Sequence, residues 1–186
     1  MFSFSTHCFL KRDPSFADVK LIQTKMFLEK LSELHQQHRA PLIIAGDFNS
    51  TPDSGVFDLL TKVGLFVLFN VVKLLICCAF VFLKKKGRLG PEHKELKSHS
   101  YYGAYSERGM SHDLSLVSCY PPAAAPYTNC THDFRGVLDY IFVSTDAFRI
   151  ASVLGVVPLD QLPLPALPNA HYSSDHVSLF ASIFLR

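Results

Sequence analysis

The stretch Pro41-Leu-Ile-Ile-Ala-Gly-Asp47-Phe-Asn49-Ser50 limits what this chain can fold into more than any other. An unbroken apolar run from Leu42 to Ala45 that stops at Gly46 reads as a short strand, and an extended backbone sends alternate side chains to opposite faces. Asp47 and Asn49 then point one way and Phe48 the other, so a carboxylate and a carboxamide share one spot at the strand's carboxyl end. In open α/β sheets ligands lie just beyond that end. The competing reading is a turn, because the residues from Gly46 to Gly55 are mostly turn formers and Asp and Asn side chains cap their own backbone. The local pattern leaves both readings open.

The segment before it has a different period. Asp13 stands where an N-cap belongs, Pro14 follows as the first helical residue, and Val19, Ile22, Met26, Phe27, Leu31 and Leu34 recur at three-to-four spacing. This predicts an amphipathic helix reaching His38 with one buried stripe. Gln23, Lys25, Glu29, Lys30, Glu33 and Gln36 form its solvated face. An earlier alternating run, Met1 to Leu10, reads as a strand with His7 at its tip, where a lone histidine is by default a surface residue. Strand, helix and strand in that order imply an α/β layer architecture. Downstream, Thr51 to Leu60 predicts a second, short helix with Ser54 as its cap.

Val63 to Leu83 does not fit such a domain. Asn70 and Lys73 are its strongly polar residues, and Lys84-Lys-Lys86 follows. About 20 apolar residues suffice to cross a bilayer as a helix, and flanking lysines are the usual cytoplasmic mark. Against a span, a lysine near the middle costs about 2.5 to 3.5 kcal/mol on insertion scales, and the run interrupts a short helix. The preferred reading joins 1–62 and 87–186 as one domain, with 63–86 an insertion from splice read-through or translated non-coding sequence. A membrane helix is the alternative. The net charge of +2 names no partner, since phosphate affinity depends on where charge clusters. Five scattered cysteines without a C-x-x-C pair argue for a reducing compartment, cytoplasmic or nuclear, over a disulfide framework or zinc site.

Between Glu92 and Arg108, Lys94, Lys97, His93 and His99 stand beside Tyr101, Tyr102 and Tyr105. This is either a solvated loop with anchoring rings or a surface that stacks and neutralises single-stranded nucleic acid. Leu114 to Tyr120 is a strand or short helix, and Phe148 to Val157 is a further apolar run. Gly136-Val-Leu-Asp139-Tyr-Ile-Phe-Val143 predicts an apolar strand with one carboxylate in its middle. A buried carboxylate needs a hydrogen-bond partner or a cation. Ser173-Ser-Asp175-His176 leads into a last strand, Val177 to Leu185, and Asp before His at a strand mouth suggests an oriented imidazole.

Gly46-Asp47-Phe-Asn49-Ser50, Gly136-Val-Leu-Asp139-Tyr-Ile-Phe and Ser174-Asp175-His176, in that order, resemble the endonuclease/exonuclease/phosphatase superfamily. Thr6-His7, Asp18 to Thr24, Asp47 to Gly55 and Tyr127 to Gly136 resemble its deadenylase branch, which includes poly(A)-shortening catalytic subunits and enzymes of nocturnin and Angel type. The resemblance covers nearly all of the chain outside Val63 to Lys86. It implies part of a four-layer α/β sandwich, two packed mixed sheets with outer helices, lacking the amino-terminal strands. It further implies a Mg²⁺-dependent 3′ to 5′ poly(A)-specific exoribonuclease that releases AMP, with RNA or a nucleotide as substrate and a deadenylase complex as partner.

Residue by residue, the resemblance implies that Asp47 orients or deprotonates the attacking water, Asn49 holds a phosphate oxygen, and His176, steadied by Asp175, faces the scissile phosphate. Asp139 supports that histidine or the metal, so Asp47, Asn49 and Asp139 are the metal candidates. His7 and Asn129 contact phosphate, Phe134 stacks on adenine, and Pro14 touches a base. The family's early asparagine and its chief Mg²⁺ glutamate have no counterpart, so this polypeptide alone is expected to hydrolyse poly(A) feebly or not at all. The alternatives are an inactive fragment that binds RNA or a partner, and a membrane-anchored variant.

Overall fold

The computed structural model describes residues 13–61, 87–96, 105, 108–121, 123–162 and 166–186. Readings made for His7, for Val63 to Leu83 and for Tyr101 and Tyr102 fall outside these residues, as does the Pro14 side chain. Asp13 caps the first turn as expected, its Oδ1 accepting the Ser15 N–H at 2.9 Å. That turn, Pro14–Phe16, is 3₁₀, and α1 proper runs Ala17–His38. Arg39, left-handed at φ 51°, closes the helix by donating its N–H to the His35 carbonyl at 2.8 Å, the usual αL ending. Next come β1 (Ile43–Asp47) and α2 (Gly55–Thr61), where the Ser54 hydroxyl accepts the Phe57 N–H at 3.3 Å. The rest is strand and loop: β2 (Arg88–Leu89), β3 (Met110–Ser111), β4 (Leu116–Ser118), β5 (Asn129–Cys130), β6 (Arg135–Gly136), β7 (Asp139–Ser144), β8 (Phe148–Val153) and β9 (Ala181–Leu185). Among the described residues, no helix is long and apolar enough to cross a membrane.

The α/β class holds. Among the described residues every strand pairing is antiparallel. The main sheet has the order β1-β7-β4. Because β7 runs against β1, its first residue lies beside β1's last, and the register sets Asp47 opposite Asp139. Asp139 therefore opens β7 rather than sitting in its middle. The last strand is also shorter than expected. It starts at Ala181, while His176 makes an isolated antiparallel bridge with Asn129.

One core joins the two helices to the main sheet through Leu21, Leu28, Leu31, Ile44, Phe48, Leu59 and Phe142. Phe48 meets Tyr140 and Phe142 edge-on at centroid distances of 5.8 and 5.4 Å, a geometry that adds to simple burial. The inward face of α1 differs from the apolar stripe read from the sequence. It carries Asp18, Lys20, Leu21, Thr24, Leu28 and Leu31, while Met26 is 63% exposed. Among these polar residues Lys20 lines a cleft and the Thr24 hydroxyl donates to the Lys20 carbonyl, so the apolar period alone misplaces the face. The run Leu42 to Ala45 is likewise not buried on both sides. Among the described residues β1 lies at the edge of its sheet, and Ile43 is exposed.

Candidate active site

Two carboxylates facing each other across adjacent antiparallel strands, as Asp47 and Asp139 do, repel unless their surroundings compensate. The surroundings are built to do so. Asp47 Oδ1 accepts the Asn49 N–H at 2.7 Å. Asp139 Oδ2 accepts from the Thr128 hydroxyl at 2.7 Å and lies 2.7 Å from His176 Nδ1. An ionised carboxylate only accepts hydrogen bonds, so Nδ1 carries the proton in this pair and Nε2 is the nitrogen left for chemistry.

Thr128 is the hub of this arrangement. Its fully buried hydroxyl accepts the N–H groups of Leu138 and Asp139 at 2.9 and 3.0 Å while donating to the Asp139 carboxylate. One oxygen thus sets both the backbone and the side chain of Asp139. Its own backbone is tied on either side, the N–H to the Gly136 carbonyl at 2.9 Å and the carbonyl to the Val177 N–H at 2.8 Å. These ties bring the His176 loop against β5. Asp175 accepts from Asn129 Nδ2 at 3.2 Å, and its carbonyl accepts the Cys130 N–H at 3.1 Å. The acid that holds the imidazole is therefore Asp139, and Asp175 orients Asn129. The expectation that Asp175 steadies His176 gives way to this geometry, in which the imidazole meets Asp139 while the Asp175 carboxylate meets Asn129.

After Asp47 the chain leaves the strand. Asn49 is left-handed, with φ 46°, a conformation that Asn tolerates better than most residues. Both local readings thus apply: Asp47 ends a strand, and it caps the turn that follows. Three contacts hold the turn. The Phe48 N–H donates to the Leu138 carbonyl at 2.9 Å, the Lys20 ammonium to the Asn49 carbonyl at 2.7 Å, and the Tyr140 hydroxyl to the Ser50 carbonyl at 2.7 Å. Burial, with Asp139, Asp53 and Asp47 nearby, pushes the Tyr140 phenol well above its ordinary range, so it serves as a donor.

A cleft of about 710 Å³ opens on this assembly, lined among others by Asn49, Asn129, Phe134 and His176. Asp13, Lys20, Asp53, Lys94 and Glu95 line it as well. Phe134 is 39% exposed, and its ring lies where a Cβ on residue 136 would come within 2.7 Å of it, so Gly136 leaves the space the ring occupies. The Thr131 hydroxyl and carbonyl-bonded amide close the short turn that presents this ring, at 3.0 Å from the Phe134 N–H and 2.8 Å from its carbonyl. The structure thus brings together Asp47, Asn49, Asn129, Phe134, Asp139, Asp175 and His176. Sequence reasoning missed Thr128 and Lys20 as site residues, although both lie inside the motif runs it used, Tyr127 to Gly136 and Asp18 to Thr24.

A divalent ion of the kind the resemblance implies needs several hard oxygen ligands at once. Among the described residues, no group of three or more His, Cys, Asp and Glu side chains is placed to hold one. Asp47, Asn49 and Asp139 supply two carboxylates, and one oxygen of each is already engaged. The described residues do not by themselves form a metal centre.

The fold is that of the nuclease and phosphatase α/β domains. The chain superposes on the crystal structure of ANGEL2, a 2′,3′-cyclic phosphatase, with a TM-score of 0.62 at 22% identity, over 96% of this chain and 55% of that one. Against the human Nocturnin catalytic domain the TM-score is 0.54 at 21% identity, over 95% of this chain and 45% of that one. The chain belongs to the Endonuclease/Exonuclease/phosphatase family, whose profile matches residues 12–176. It is similar to the CCR4-Not complex 3′-5′-exoribonuclease subunit Ccr4 of Phaeosphaeria nodorum, 34% identical over 148 residues, 78% of this chain and 21% of that protein. The Aspergillus clavatus subunit of the same name is 29% identical over 215 residues, 94% of this chain and 28% of that protein. The chain thus spans about a quarter of the length of these curated relatives.

Proposed function

We propose that this chain carries part of a phosphodiester hydrolase site of the 3′ to 5′ poly(A) exoribonuclease kind, which shortens RNA from its 3′ end and releases AMP. The observation that carries the reading is the His176–Asp139 pair on the wall of a cleft shared with Asn49, Asn129 and Phe134. An imidazole held through Nδ1 presents Nε2 toward a phosphate oxygen and moves a proton there. Carboxamides from Asn49 and Asn129 suit the remaining phosphate oxygens, and Asp47 is the base beside the attacking water. Phe134 offers a stacking face to an adenine. His7 belongs to the same reading as a phosphate contact, and Pro14 as a base contact.

Mg²⁺ is the cofactor of this reading, and it supplies charge neutralisation on phosphate when bound. RNA is the substrate, or a nucleotide in a phosphatase variant of the same chemistry. Similarity to subunits of the CCR4-Not complex supports a deadenylase complex as partner, and this reading takes cytoplasmic RNA as the target. Purified chain incubated with Mg²⁺ and a 5′-labelled oligoadenylate is expected to release AMP feebly at most, with His176→Ala abolishing whatever release there is. Equal treatment of oligouridylate, or release that survives His176→Ala, overturns the assignment. A second reading, binding of RNA without turnover, is favoured by the missing three-ligand group among the described residues. Under it, Asp47→Ala leaves oligoadenylate binding intact and there is no hydrolysis to lose.

A further inference from the structure

Lys20 is charged, only 7% exposed, and sits in the wall of the cleft. Burying an ammonium is costly unless it is hydrogen-bonded, and this one spends a hydrogen bond on a backbone carbonyl. Its acceptor is Asn49, the one residue of the Asp47–Ser50 turn with a left-handed backbone. We propose that Lys20 is a positioning residue for the site: its ammonium clamps the Asn49 carbonyl, holds the turn left-handed and so aims the Asn49 carboxamide into the cleft.

Several features support this. The side chain comes from α1, and Thr24 Oγ1 donates to the Lys20 carbonyl at 2.8 Å, one turn on. Leu21 and Leu28 anchor the same helix in the core, so the ammonium approaches the turn from a rigid base. The groups whose fields reach Lys20 are Glu95, Asp13 and Asp47. All three favour the charged form, against a burial effect that lowers its pKa from the ordinary lysine value. Asp47 is also the residue that caps the Asn49 amide. The clamp therefore acts on the loop from its carbonyl side while Asp47 acts from its amide side.

The inference deepens the proposed hydrolytic reading, but its test is separable from it. In the native chain, NMR should detect a slowly exchanging Lys20 ammonium with scalar coupling across the hydrogen bond to the Asn49 carbonyl carbon. Lys20→Met keeps the length and apolar stem without the donor. It is expected to speed hydrogen exchange at the Phe48 and Asn49 amides at least about tenfold, while Leu28, in the same helix, is unchanged. Lys20→Arg, which keeps a donor, should restore protection. If AMP release is measurable, Lys20→Met lowers kcat with little change in KM, because a mis-aimed carboxamide fails at the transition state. If there is no release from any variant, binding of RNA without turnover is the reading of the site that stands, and the exchange data still decide the role of Lys20. Absence of the coupling, unchanged exchange at Phe48 and Asn49, or a uniform loss that includes Leu28 overturns the proposal.

Discussion

Replacing Thr128 with Val tests whether one hydroxyl organises the candidate site. Valine has the shape of threonine, so it opens no cavity, and the loss is that of Oγ1 alone. Three hydrogen bonds disappear: two accepted from the Leu138 and Asp139 amides, and one donated to the Asp139 carboxylate. At about 1 kcal/mol for each neutral bond and about 2 for the charged one, the expected destabilisation is about 4 kcal/mol. For a chain of this size that is a fall in Tm of roughly 8 to 16 °C. Thr128→Ser keeps the oxygen and removes a methyl group, which should cost only about 0.5 to 1.5 kcal/mol. Urea and thermal denaturation followed by circular dichroism measure both. If Val is tolerated as well as Ser, the hydroxyl is not the organiser and the account of Asp139 fails.

Phe134→Ala should weaken oligoadenylate binding by about 1 to 3 kcal/mol while leaving Tm within about 1 °C, because the ring is exposed and its loss is felt by ligand alone; an equal loss for an abasic oligomer would rule out stacking. His112 should make stability depend on pH. Its Nε2 lies 2.8 Å from the Leu59 carbonyl and its Nδ1 accepts the Leu114 N–H at 3.2 Å, which requires a neutral ring, and burial lowers its pKa from the ordinary 6.5. Stability from this source is complete above about pH 6.5 and falls as the unfolded chain takes up the proton, by at most about 1.4 kcal/mol per pH unit. It levels off once the pH drops below the folded value. Denaturation at pH 7.5 and 5.5 should show the fall in the parent chain and lose that part of it in His112→Asn. Asp139→Asn should reduce any AMP release far more than it reduces oligoadenylate affinity, since it disturbs the proton on His176 rather than the cleft wall; a parallel drop in both would point to local unfolding.

Much of this was legible in the chain itself. The Asp13 and Ser54 caps, the end of β1 at Gly46-Asp47, and the ordered motifs around Asp47, Asp139 and His176 are short-range signals, in which a residue's neighbours along the chain decide its conformation. The signal failed where the deciding partner is remote. Whether α1 turns Lys20 or Met26 inward depends on a cleft formed by the turn after β1. That Asp139 rather than Asp175 holds His176 depends on β5 and β7 meeting at Thr128, and the hydrogen bond spans 37 positions. The sequence by itself determined the helices, their ends and which chemistry-bearing side chains were available, because capping and periodicity act within a few residues. Only the tertiary structure decided which of those side chains face one another, because strand register and hydrogen-bond choice are settled when distant segments pack.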